Sequence, residues 1–240
     1  MAARSSTQLH HNNAMMTSTQ CPVCLSCRLI PNGHDNTCLD CGYTWGPSER
    51  AASTQLPKTA NTGVNAPFFV FEVESVGLHG EGFAVAGGVY IDGAARSEFR
   101  YCCPLDEAKG EDEDREWVKA NVPALEITHR STKTMREAFW SEWENAKARY
   151  PGITMAGECI WPVEAGFVAE CVKQQMTDRK WAGPYPFHDI ASVMLAAGMD
   201  PMATYERTES EKPAHEPLAD ARLSARLLAM ALRRATTTTP

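Results

Sequence analysis

An α/β fold, a mixed sheet flanked by helices with a small cysteine-bound unit ahead of it, is what these 240 residues predict. Three observations carry that expectation. Apolar, β-prone runs dominate residues 67–103, short strands alternate with helical spacing from residue 114 onward, and five cysteines crowd into residues 21–41. Strands first, then alternation with helices, is the pattern of a mixed sheet. With 43% hydrophobic residues the chain can bury one core of ordinary domain size and leave residues for a smaller unit.

Residues 1–20 are polar and aperiodic, which predicts a disordered leader in which His10 and His11 stay inert. Residues 21–46 hold the cysteine module. Residues 47–65, rich in Gly, Pro, Ser, Thr and Ala, predict a flexible linker that lets the two units move independently. The larger domain is expected over 66–235, with 236–240 as a tail. Phe68-Phe69-Val70-Phe71 reads as a buried strand, Gly82 to Ile91 as its hairpin partner, and Phe99 to Cys103 as a third strand. Helices are expected over 114–121 and 134–150, the second placing Ala138, Phe139, Trp143 and Ala146 at helical spacing until Pro151-Gly152 stops it. Ile153 to Ala156 reads as a short strand. Helices follow over 162–173, with proline at the first position, 188–197 and 217–234. The acidic run from Asp106 to Glu116 is expected to form a solvated loop and helix start.

No stretch approaches the ~18–20 apolar residues of a membrane helix, and the first 20 residues lack a signal-peptide core, so a soluble cytoplasmic protein is expected. A net charge of −7 argues against coating nucleic acid through overall charge. An enzyme whose metal ions neutralise phosphate needs no basic surface.

Cys21-Pro-Val-Cys24 and Cys38-Leu-Asp-Cys41-Gly42 are two Cys-x-x-Cys knuckles separated by 13 residues. Four thiolates at that spacing can close a tetrahedron around a structural Zn2+. Cys27 is a spare thiol able to replace Cys24, and His34 is another substitute. The module resembles the zinc ribbons of nucleic-acid enzymes, including the aromatic Tyr43 and Trp45 after the second knuckle.

Glu72 and Glu74 end the first strand, and period-two alternation points both carboxylates to one face. Two like charges held that close call for cations. Near the C-terminus, His215 precedes a helix whose first position is Pro217 and whose first turn carries Asp220. An acid on a helix's packing stripe needs a partner, and metal would provide one.

Glu72-Val-Glu74-Ser-Val-Gly77-Leu78 and His215 to Asp220 together resemble the DEDDh family of 3'-5' exonucleases, which opens with Asp-x-Glu-x-x-Gly-Leu and closes with His-x-x-x-x-Asp at a helix start. The resemblance spans residues 67–235 and implies an RNase H-like fold. The family's intermediate acid is matched to Glu158, in a segment continuing Trp161-Pro-Val-Glu-Ala like that of phage and bacterial members. Glu164 and Asp189 compete for that place, although Asp189 suits the cap of the helix after it. The resemblance implies Glu72, Glu74, Glu158 and Asp220 holding two Mg2+ or Mn2+ ions, His215 as general base, and single-stranded nucleic-acid 3' ends as substrate; some members of the family are homodimers. Glutamate stands at positions 72 and 158 where the family has aspartate. Replacement by another acid points to retained metal binding, and a catalytically silent nucleic-acid or protein binding domain is the rival reading. Trp161 and Phe187 are aromatics able to stack on a terminal base, with core packing as their commoner fate.

Overall fold

The computed structural model describes residues 29–32, 35–38, 44–45 and 63–237. The chain divides into two compact units, residues 1–59 and 60–240. In the first, β1 (Leu29–Asn32), β2 (Asp35–Cys38) and β3 (Thr44–Trp45) form an antiparallel sheet in the order β1-β2-β3. Of the predicted zinc ligands only Cys38 stands in a described element, at the end of β2. Cys21, Cys24 and Cys41, the competing Cys27 and His34, the leader and nearly all of the linker lie outside the described residues.

The second unit is built on five strands, β4 (Pro67–Ser75), β5 (Gly82–Ile91), β6 (Ala94–Cys102), β7 (Thr154–Gly157) and β8 (Phe187–Asp189), in the order β6-β5-β4-β7-β8. The pairs β4–β5 and β5–β6 are antiparallel, whereas β4–β7 and β7–β8 are parallel. Helices α1 (Asp112–Asn121) and α2 (Thr132–Arg149) lie between β6 and β7 in the chain. Helix α3 (Val163–Gln174) and the single turn α4 (Met176–Arg179) precede β8, and α5 (Ile190–Ala196) and α6 (Pro217–Thr237) follow it.

Alternation along β4 feeds two cores. Phe69 and Phe71 meet α2, with ring centroids 5.8 Å and 4.9 Å from Phe139. Trp143 closes on Phe69 at 5.5 Å, and Phe167 of α3 joins the same cluster. On the other face Val70 packs with Ile190 and Met194 of α5 and Leu227 and Leu228 of α6. Burial on both faces explains why the start of β4 is apolar at nearly every position. Helix α2 starts where Ser131 Oγ accepts the Thr134 N–H at 3.3 Å.

Three expectations need correction. The third strand begins at Ala94, not Phe99, because the chain reverses at Asp92-Gly93, whose positive φ values of 54° and 76° suit a two-residue hairpin. Residues 94–98 are exposed and so lack the apolar signal. The helix expected from residue 188 begins at Ile190, because 187–189 pair with β7 as a three-residue strand, too short for any period. Pro162 stands before α3 and not at its first position.

Candidate metal centre

β4 outruns its parallel neighbour: the β4–β7 ladder stops at Val70↔Ala156, while β4 continues to Ser75. The Val73 N–H is therefore left for a side chain, and Glu164 Oε1 of α3 accepts it at 3.3 Å. The strand alternation that sends Val73 toward the α3 side sends Glu72 and Glu74 toward α6.

Helix α6 brings Ser224 against Glu72. Ser224 Oγ lies 2.7 Å from Glu72 Oε1 and 3.1 Å from Glu158 Oε2. Glu72 Oε1 also accepts the Glu158 N–H at 3.4 Å. One hydroxyl carries one proton, so both serine contacts are hydrogen bonds only when one of the two carboxyls is protonated. The surroundings favour that state. Burial holds Glu72 well above the usual carboxyl range, and the charge of Glu164 adds to it, against the opposing Ser224 hydrogen bond. Glu158 is raised by burial too, with Ser224 and Arg207 opposing. Burial pushes Glu164 up to about 8 despite its backbone hydrogen bonds.

One turn earlier on α6, Asp220 meets the histidine loop. Asp220 Oδ2 accepts the His215 N–H at 2.9 Å, and Oδ1 takes Arg207 Nη1 at 2.5 Å. His215 has a φ of 61°, uncommon for a non-glycine residue, and its ring is exposed. Ligand atoms of Glu74, His215 and Asp220 all lie within 4.8 Å of one another. Glu74 is pushed up to about 8, first by burial and then by the charges of Asp220, Glu164 and Glu216.

The five residues singled out in the sequence thus stand as two neighbouring groups: Glu74, His215 and Asp220 directly, and Glu72 with Glu158 through Ser224. Asp220 acts electrostatically on all three glutamates. Of the competitors for the intermediate acid, Glu164 joins the same cluster from below β4. Asp189 caps α5, its Oδ2 accepting the Ser192 N–H at 3.0 Å, while its buried Oδ1 has no hydrogen-bond partner beside the Glu158 loop. Carboxylates with an imidazole are a fitting donor set for a hard divalent cation.

Phe187 stacks in the core on Phe71 at 5.8 Å, but Trp161 is 75% exposed, against the expectation of core packing. A cleft of about 360 Å³ opens at Glu74, lined by Gly77, Leu78, Asp114 and Trp117. A larger one of about 480 Å³ shares Leu78 and Val163 with it and carries Trp161, Lys109 and Arg136. Sequence reasoning missed Ser224 and Arg207. Ser224 lies four residues after Asp220 and so on the same helix face, a signal that could have found it; Arg207 had none.

No protein-family model and no curated protein matches the chain. Among solved structures it is similar to an Exonuclease I from Methylocaldum szegediense, at 14% identity and a TM-score of 0.49 over 70% of this chain, and it spans 40% of that chain's length. It is also similar to S. pombe Pop2p in an Mg2+ and Mn2+ bound form, at 10% identity and a TM-score of 0.50, over 68% of this chain and 81% of that one. Among the described residues no helix is long and apolar enough to cross a membrane. With the mixed sheet ordered β6-β5-β4-β7-β8 and helices on both faces, the second unit has an RNase H-like fold.

Proposed function

We propose that the second unit is a metal-dependent 3'-5' exonuclease that hydrolyses single-stranded nucleic acid to nucleoside 5'-monophosphates. The observation that carries this reading is the convergence of Glu74, His215 and Asp220 within 4.8 Å beside the Glu72–Ser224–Glu158 cluster. Glu72, Glu74, Glu158 and Asp220 would hold two Mg2+ or Mn2+ ions, a choice supported by the metals named for Pop2p. Bound divalent ions supply the charge that clamps a scissile phosphate and stabilises the attacking and leaving oxygens. His215, exposed at the mouth of the cluster, takes the proton of the attacking water. Ser224 keeps the two long glutamate arms side by side. Leu78 and Trp161, 68% and 75% exposed at the adjoining clefts, offer apolar surface to a base.

One observation favours the rival, a silent binding domain: Arg207 already neutralises Asp220. Digestion of 3'- and 5'-labelled single-stranded DNA and RNA with Mg2+, Mn2+ or EDTA separates the two. Metal-dependent release of mononucleotides from the 3' end is expected. Inertness on every substrate leaves the silent domain. For the N-terminal unit the proposal is one structural zinc on Cys21, Cys24, Cys38 and Cys41, tested by metal analysis of protein prepared under reducing conditions.

A further inference from the structure

Helix α1 grows out of the acidic run and reaches the histidine loop. Its attachment to the domain does not use its largest side chain. Val118 is its buried residue, and Arg115 pins it by donating to the carbonyls of Leu105 at 2.8 Å and Ala108 at 2.6 Å. The preceding loop is stitched to the β4–β5 turn through Glu81, whose N–H donates to the Lys109 carbonyl at 2.7 Å and whose Oε2 accepts the Lys109 N–H at 3.0 Å. Asp114 lies so close to Gly77, which has a φ of +73°, that a Cβ there would come within 2.2 Å of its carboxylate. Trp117, one turn further, is 50% exposed and belongs to neither core. Its ring meets the His215 ring edge to face, with centroids 5.4 Å apart at 84°. Among the described residues the His215 ring makes no hydrogen bond, although its backbone N–H is held by Asp220. Imidazole on an exposed loop would otherwise be free to rotate away from the carboxylates.

We propose that Trp117 is a positioning residue that fixes the His215 ring against Glu74 and Asp220, with α1 as its rigid support. The inference rests on the exonuclease reading for its consequence but not for its geometry. The test compares Trp117→Ala and Trp117→Phe with the parent. In histidine-labelled protein the His215 side chain, assigned through His215→Ala, should hold a single χ1 rotamer in the parent and in Trp117→Phe and average over rotamers in Trp117→Ala, read from its Hα–Hβ couplings. On the substrate that the parent digests, Trp117→Ala should lower kcat by roughly 10- to 100-fold at unchanged KM, as for a misplaced catalytic group, and phenylalanine should restore it. A single His215 rotamer retained in Trp117→Ala overturns the proposal. So does a raised KM at unchanged kcat, which makes Trp117 a substrate contact instead. If the parent is inert on all substrates the exonuclease reading falls, while the rotamer comparison still decides whether Trp117 holds His215.

Discussion

Glu74 and Asp220 stand within ligand distance of each other but are stabilised differently. Asp220 accepts hydrogen bonds from Arg207 and from the His215 N–H, whereas the Glu74 carboxyl accepts none among the described residues. Burial and the charge of Asp220 make ionised Glu74 costly, so Glu74→Ala should hold the melting temperature of the metal-free protein below about pH 8 and raise it above, while abolishing nucleotide release. From sequence alone the same is expected of Asp220→Ala, but the Arg207 pair changes that: Asp220→Ala leaves a partly buried guanidinium without its acid and should lower the melting temperature as it abolishes activity. His215→Ala should leave metal binding intact and cost roughly 10²- to 10⁴-fold in turnover. If Asp220 holds metal as proposed, Arg207 competes with the ion for it. A charge-assisted hydrogen bond is worth about 1.5–3 kcal/mol, so Arg207→Gln should tighten Mn2+ binding by roughly tenfold or more; calorimetric titration showing equal or weaker binding would remove Arg207 from the metal's path.

Among the elements, α6 carries Asp220 and Ser224 of the candidate site, and α2 packs the aromatic core beneath β4. Phe139 of α2 is fully buried and touches Phe69, Phe71, Phe99 and Phe167. Phe139→Ala should cost about 3–5 kcal/mol, a fall of roughly 6–20 °C in melting temperature for a unit of this size. A smaller loss would mean that the aromatic cluster repacks. Long elements, the apolar runs of β4 and β5 and the helical spacing of α2 and α6, were legible in the sequence. The three residues of β8 were not, because a strand held by its neighbour's hydrogen bonds needs no pattern of its own.

At the scale of the whole molecule, the buried acids couple stability to pH and, on the proposed reading, to metal. Glu74 and Glu164 are both raised to about 8 from the ordinary 4.5, so between those values the folded state binds more protons than the unfolded one. The stability they contribute is complete below about 4.5 and is lost as pH rises through about 8. The metal-free protein should melt at progressively lower temperature from pH 5 to pH 9. Mn2+, which requires the deprotonated acids, should bind more tightly over the same range and offset that loss. A melting temperature that is flat with pH in EDTA would show that the cluster is solvated.

Local periodicity in the sequence determined that Glu72 and Glu74 share one face of a strand and that Asp220 enters a helix just after His215, because alternation and helix starts are written within a few neighbouring residues. Tertiary structure alone decided the rest. Ser224 meets Glu72 across 152 positions and Glu158 across 66. Arg207 reaches Asp220 from an irregular loop, Glu164 fills the place that β7 leaves open beside Val73, and Trp117 crosses from another helix to His215. Such meetings depend on where the packed sheet brings distant segments together, and residue spacing along the chain carries no record of that.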